Sequence, residues 1–238
     1  MNHAKQLQSG FVLHSRPWRE TSILLDVFTE NYGKIGLCAR GVRGKKSPKR
    51  SLLQPFSPLL LCWTGRGELQ TMTSLEPAAP AIKLSGFALY SALYINELMV
   101  RLLHKHDPHA ELFYHYRQTL EQLSHTDNLE QVLREFELLL LTVIGYGLTL
   151  DDDFKGEPIA ENANYHLNSD GLFQVVDDRI DAEFSNQFKG RQLLLIAEKN
   201  WQDPATLKAA KRLLRLSLQP LLGDKPLQSR KLFRRELS

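Results

Sequence analysis

A change of hydrophobic period near residue 80 limits this chain more than any other feature in it. Before that point apolar residues alternate in short runs, over 10–15, 22–29, 34–39, 56–62 and 68–75. Turn residues such as Asn31-Tyr32-Gly33 and Gly65-Arg66-Gly67 separate them. Five strands within the first 80 residues predict a small β-barrel. The OB-fold is the five-stranded barrel most often used for single strands, and an SH3-like barrel fits the same pattern.

Pro77 and Pro80 close that region, and helical periodicity follows. Residues 81–103 are apolar on nearly every face (Leu89, Leu93, Ile95, Leu98, Met99, Leu102), which predicts a helix at the centre of a bundle. A second helix is expected over 108–123. A third is expected over 129–144, with Val132, Leu133, Phe136, Leu140 and Val143 on one face and a stop at Gly145-Tyr146-Gly147. These three are expected to form one domain. Residues 148–189 read as an irregular insert with one hairpin around Asp170-Gly171. Helices return over 190–200 and 203–222, the latter with Asp203 as N-cap and Pro204 in the first turn. The expected fold class is α+β. An N-terminal barrel over 1–80 precedes a helical domain over 81–238, whose last part, 190–238, carries basic helices.

Charge is distributed unevenly along the chain. Residues 1–80 carry 11 Lys and Arg against 5 Asp and Glu, residues 81–200 carry 10 against 19, and residues 201–238 carry 9 against 3. Two basic ends thus flank an acidic middle, and a polyanion bound at both ends would relieve their self-repulsion. One basic cluster is the polar loop 40–50, RGVRGKKSPKR, with Arg40, Arg43, Lys45, Lys46, Lys49 and Arg50. The other is on the last long helix, where Lys208, Lys211, Arg212 and Arg215 fall at i, i+3, i+4 and i+7. That row is either a solvated face or a phosphate contact. The segment Phe11 to Arg19 places Arg16 and Trp18 near a strand end, as base stacking and phosphate neutralisation require. Trp18 could equally plug the barrel core. With Arg66, these cations would line one groove if the loops gather at one barrel rim.

Catalytic signatures are missing. Gly41-Val42-Arg43-Gly44-Lys45-Lys46-Ser47 has two residues between its glycines and is followed by Pro48, whereas a Walker loop needs four and a helix start. His104, His106, His109 and His115 have no accompanying cysteine or ordered carboxylate spacing, so helix-end and surface roles fit better than zinc. Asp151-Asp152-Asp153 lacks the ligand alternation of a calcium loop. Cys38 and Cys62 lie in alternating apolar runs and are expected to be small buried side chains in a reducing compartment. No stretch reaches the roughly 18 apolar residues of a membrane helix, and the start, MNHAKQLQSG, lacks a secretory apolar run. The expectation is a cytoplasmic, nucleoid-associated protein that is not an enzyme, binds no membrane and needs no cofactor.

Four separated runs carry a specific resemblance. GFVLHSRPWRETSILLDVFTENYGKIGLCARGVRGKKS from Gly10, LQPFSPL from Leu53, FELLLLTVIGYGLTL from Phe136 and LKAAKRLLRLSLQPLLGDKPLQSRKLF from Leu207 occur in order over nearly the whole chain. Together they resemble RecO, a family of bacterial recombination mediators. The resemblance implies an N-terminal OB-fold and a helical domain behind it. It further implies binding and annealing of single-stranded DNA, and cooperation with RecR and the single-strand-binding protein so that RecA loads. The acidic, Phe-terminated tail of the single-strand-binding protein would enter an apolar pocket of the helical domain, and Arg134 stands in the matching motif. Arg134 is also i+4 from Glu130 and i−3 from Glu137, so a helix-surface ion pair is the competing role. The family commonly carries a four-cysteine zinc module after the Gly-Tyr-Gly turn. Here Leu150-Asp151-Asp152-Asp153 stands where the first cysteine pair would begin, and 172–178 supplies no second pair. Zinc is therefore not carried over, and the insert is zinc-finger-like without its cysteines. A protein-interaction scaffold docking acidic partners is the alternative function. A nucleic-acid enzyme is a weaker one.

Overall fold

The computed structural model describes residues 4–44, 49–176 and 186–235. The chain forms two compact units, one of Met1–Asp127 with Leu227–Ser238 and one of Asn128–Pro226.

The first unit is built on five strands, β1 (Ala4–Trp18), β2 (Ser22–Thr29), β3 (Gly33–Ala39), β4 (Leu59–Thr64) and β5 (Leu69–Pro77), closed in the order β1-β2-β3-β5-β4. All neighbours are antiparallel except β3 and β5. This is the strand order of an OB-fold, and it removes the SH3-like option. Alternation turns Leu25, Val27, Ile35, Leu37, Leu59, Leu61 and Trp63 into the barrel. Trp63 is therefore the tryptophan in the barrel core, where its ring stands at right angles to that of Tyr32 with centroids 5.3 Å apart.

β1 serves two neighbours because it bends. Its first part pairs with β4 and its second with β2, and the register with β2 slips between Val12 and His14. Such a bulge adds one residue and turns the strand. The main-chain oxygen of Leu13 at that bulge accepts from Asn96 Nδ2 at 3.0 Å, and Asn96 Oδ1 accepts from the Tyr116 hydroxyl at 2.7 Å. Burial pushes the Tyr116 hydroxyl far above its ordinary pKa, so it stays a donor. Asn96 and Tyr116 lie on α2 (Gly86–Leu102) and α3 (Ala110–Leu123). These helices cover part of the outer barrel face, where Phe11 and Phe28 meet Phe113, each at 5.6 Å. A short helix, α1 (Lys49–Leu52), precedes β4.

The second unit contains α4 (Leu129–Val143), α5 (Gly190–Ala197), α6 (Pro204–Leu222) and a three-stranded sheet of β6 (Asn164–Leu167), β7 (Phe173–Val176) and β8 (Gln187–Lys189) in the order β7-β6-β8. Tyr165, Phe173, Phe188, Leu193, Ile196, Trp201, Ala210 and Leu213 form its core. Asp203 caps α6 by accepting from the Ala205 amide at 2.9 Å, with Pro204 at the first helical position. The three helices expected to make one domain are divided, because α4 belongs to the unit of α6 and not to that of α2 and α3. The last helix, α7 (Arg230–Arg235), returns to the first unit.

Candidate nucleic-acid interface

Past its bulge β1 runs on with β2 as a two-stranded ribbon, pairing Arg16 with Leu24, Pro17 with Ile23 and Trp18 with Ser22. Side chains two apart share a face, so His14, Arg16 and Trp18 point the same way. Every residue from 14 to 21 is exposed, and Trp18 retains 43% of its surface. Its ring lies 6.0 Å from the Arg19 guanidinium, a cation–π contact that leaves the rest of the indole open. The core-plug reading of Trp18 is thus replaced by an exposed aromatic at a strand end. Arg19 joins the candidate residues here, although the sequence pattern did not single it out within this segment.

The loop after β3 is brought to this ribbon by its backbone. Ala39 pairs with Ile23, the Arg43 amide donates to the Thr21 carbonyl at 3.0 Å, and Val42 is buried among the barrel residues. Arg16, Trp18, Arg19, Arg40 and Arg43 consequently gather at one rim. Lys49 and Arg50 are exposed on α1, just before Leu53 enters the barrel core. Lys45 and Lys46 lie outside the described residues. Arg66 is not at this rim. It lies on the β4–β5 turn, where Leu69 pairs with Gly36 and Glu68 binds Lys105 at 2.7 Å, beside the first half of β3.

Two acids accompany these cations, Glu20, exposed in the β1–β2 turn, and Asp26, 3.6 Å from His14. The hydrogen bond from His14 holds the Asp26 carboxyl below the usual value, with the charges of Lys34 and Arg16 acting in the same sense against burial. Lys34 is buried under α2 and donates to the Val100 carbonyl, and burial lowers its pKa. It supports the sheet and offers nothing to a ligand.

On α6 two of the four cations in the expected row have protein partners. Lys211 is bound to Glu130 at 2.6 Å, and Arg212 lies 4.4 Å above the Phe188 ring while donating to the Gln187 carbonyl. Lys208 and Arg215 are exposed and have no acidic partner among the described residues.

Arg134 makes one of the two ion pairs named as its competing role, the one with Glu137, but inside the fold and not on the helix surface. Its side chain is 8% exposed and pairs with Glu137, itself 1% exposed, at 3.1 Å. Arg134 Nε is buried without a hydrogen-bond partner among the described residues. The pair is thus a buried one on α4, and its electrostatics differ from those of a helix-surface pair.

Cys38 and Cys62 are half-buried free thiols on the outward faces of β3 and β4, not the core side chains expected. His109 meets Asp107 at 3.1 Å and His115 meets Glu111 at 3.8 Å, and no group of three or more metal-ligating side chains occurs among the described residues. The described residues of the insert do not fit zinc: the insert's sequence has no cysteine or methionine, Asp153 Oδ1 already accepts two amides, and His166 Nε2 meets Asn186 Nδ2 at 2.6 Å. No helix among the described residues is long and apolar enough to cross a membrane.

Two family models match consecutive parts of the chain, "Recombination protein O N terminal" over residues 1–81 and "Recombination protein O C terminal" over residues 84–231. The chain is 44% identical to the DNA repair protein RecO of Photobacterium profundum over 228 residues, 95% of each chain. It is equally 44% identical to those of Haemophilus influenzae Rd, over 96% of this chain and 95% of the relative, and Yersinia enterocolitica, over 95% and 93%.

Proposed function

The chain belongs to the RecO family, and from that footing we propose that it acts in recombinational DNA repair by binding single-stranded DNA at the barrel rim and annealing complementary strands. The observation that carries this reading is Trp18, 43% exposed beside Arg16, Arg19, Arg40 and Arg43. A base stacked on an aromatic ring contributes about 1–3 kcal/mol, and arginines beside it neutralise the phosphates on either side. Stacking and phosphate contacts leave the pairing edges of the bases free, which is what annealing needs. The reading is of binding without turnover.

Within this proposal residues 1–80 make the first DNA contact, and the helical region 81–238 adds Lys208 and Arg215 and receives partners. Those partners are RecR and the acidic tail of the single-strand-binding protein, the latter near Arg134, with loading of RecA as the outcome. The work would be done in the cytoplasm, at the nucleoid. An annealing assay with complementary oligonucleotides, bare and coated with the single-strand-binding protein, tests the proposal. Acceleration of both that fades steeply with salt is expected. Binding to acidic peptides with no affinity for DNA would favour the scaffold reading, and nucleotide or phosphodiester turnover would point to an enzyme.

A further inference from the structure

Two turns of the insert are copies of one another. The first is Asp153-Phe154-Lys155-Gly156-Glu157 and the second is Asn168-Ser169-Asp170-Gly171-Leu172. In the first, Asp153 Oδ1 accepts from the amides of Lys155 at 2.8 Å and Glu157 at 3.0 Å. In the second, Asn168 Oδ1 accepts from the amides of Asp170 and Leu172, both at 2.9 Å. The leading residue's own carbonyl accepts from the glycine amide, at 2.9 Å in the first turn and 3.2 Å in the second. Its amide donates to the carbonyl four residues on, at 2.8 Å and 3.0 Å. Both glycines have φ of 78°, which only glycine adopts readily. The first turn is joined to the strand that leaves the second, since the Phe154 amide donates to the carbonyl of Phe173, the first residue of β7, at 2.8 Å. Phe173 then enters the core with Phe188, ring to ring at 6.1 Å.

We infer that these paired turns are a metal-free clasp that does for the insert what a bound metal does in a cysteine-ligated module. Such a module needs a side-chain anion at the head of each tight turn, accepting the turn's amides, and a bond linking one turn to the other. Here a side-chain oxygen replaces the first, by the same local chemistry that makes Asp and Asn turn residues. The Phe154–Phe173 main-chain bond and the aromatic core replace the second. The oxygens that head the turns are each already committed to two amides, so they are poor places for a cation. The consequence is that the second unit keeps its fold in chelator.

The test uses the full chain. Elemental analysis is expected to find zinc well below stoichiometric, and EDTA to leave the melting temperature unchanged. Asp153→Ala and Asn168→Ala should each lower it, by about 2–8 °C for a chain of this size. Asp153→Asn, which keeps the accepting oxygen, should melt like the parent. Should the alanine variants not fold, hydrogen exchange of the parent decides, with protection of the Lys155, Glu157, Asp170 and Leu172 amides expected and unaltered by EDTA. Stoichiometric zinc, a chelator-induced drop in melting temperature, alanine variants that melt like the parent, or unprotected amides would each overturn the clasp.

Discussion

Arg43 Nη1 donates to the main-chain carbonyl of Arg19 at 2.8 Å, and this bond ties the basic loop after β3 to the turn between β1 and β2. The loop's charge and its position are therefore not independent. A cation read from the sequence as a phosphate contact also holds the stacking residue's neighbour in place.

The loop prediction separates those two roles. Neutralising Lys49 and Arg50 together with Lys45 and Lys46 should weaken binding to all single strands alike. It should lower the slope of log affinity against log salt by about 0.7 for each phosphate that is no longer neutralised. Arg43→Ala should do this and also lower stability by about 0.5–1.5 kcal/mol, the usual worth of one hydrogen bond. Salt titrations of oligonucleotide binding, with thermal melts of the same proteins, read both. Unchanged affinity and slope in the quadruple variant would remove the loop from the interface.

On α6 the four cations should behave as two pairs. Lys208→Ala with Arg215→Ala should weaken DNA binding and spare stability. Lys211→Ala breaks an exposed bridge to Glu130, worth about 0.2–1 kcal/mol. Arg212→Ala removes a cation–π contact over Phe188, worth about 0.5–2 kcal/mol. The last two should appear in melting curves before they appear in affinity, and the reverse ranking would contradict the assignment.

Arg134 calls for two substitutions, because it faces a carboxylate that is 1% exposed. Arg134→Ala is expected to destabilise by on the order of 3 kcal/mol, far more than a helix-surface pair. Arg134→Lys keeps the charge and loses the planar fork. It should weaken binding of the single-strand-binding protein's tail by about tenfold and leave naked single-strand affinity unchanged. Annealing of bare strands would then survive while that of coated strands fails. Equal loss of both, or of neither, in a folded protein would take Arg134 out of the tail site.

Acid should release the C-terminal helix. Glu97 accepts from the Gln228 and Ser229 amides, each at 2.8 Å, and from the Ser229 hydroxyl at 2.6 Å. Burial alone would raise its pKa, but the bonds from Ser229 and Gln228 outweigh that and hold it below the ordinary 4.5. The bond thus contributes stability above that value and loses it as pH falls through the lowered folded value. Amide protection over 227–235, taken relative to the intrinsic exchange rate at each pH, should fall in that window, and Glu97→Gln should lower it at neutral pH. Protection that does not change in either case would contradict the role given to Glu97.

Much of the fold was legible because it is local. Alternation located β2 at its observed bounds, and Asp203-Pro204 located the start of α6. β1 is longer than read because the bulge at Leu13 breaks the alternation and the ribbon from His14 to Trp18 is exposed on both faces. The parallel pairing of β3 with β5 joins residues more than 30 apart, and it alone decides that Arg66 falls away from the rim. In the insert only the hairpin was readable, since β8 is three residues long and pairs across a gap of more than 20. The α6 row looked uniform along its own helix. Which cations have protein partners, Glu130 for one and Phe188 for the other, is fixed by other elements that spacing does not report.

Tryptophan emission tests the central claim most directly. Of the three tryptophans Trp63 and Trp201 are buried, at 2% and 6% exposure, and Trp18 is 43% exposed. Adding oligo(dT) at low salt should quench the solvent-exposed part of the emission, and added salt should restore it. Trp18→Phe, which can still stack, should retain most of the affinity measured by anisotropy and lose the quench. Binding without any quench, the same quench in Trp18→Phe, or no binding at all would contradict a barrel rim that holds single-stranded DNA by stacking on Trp18.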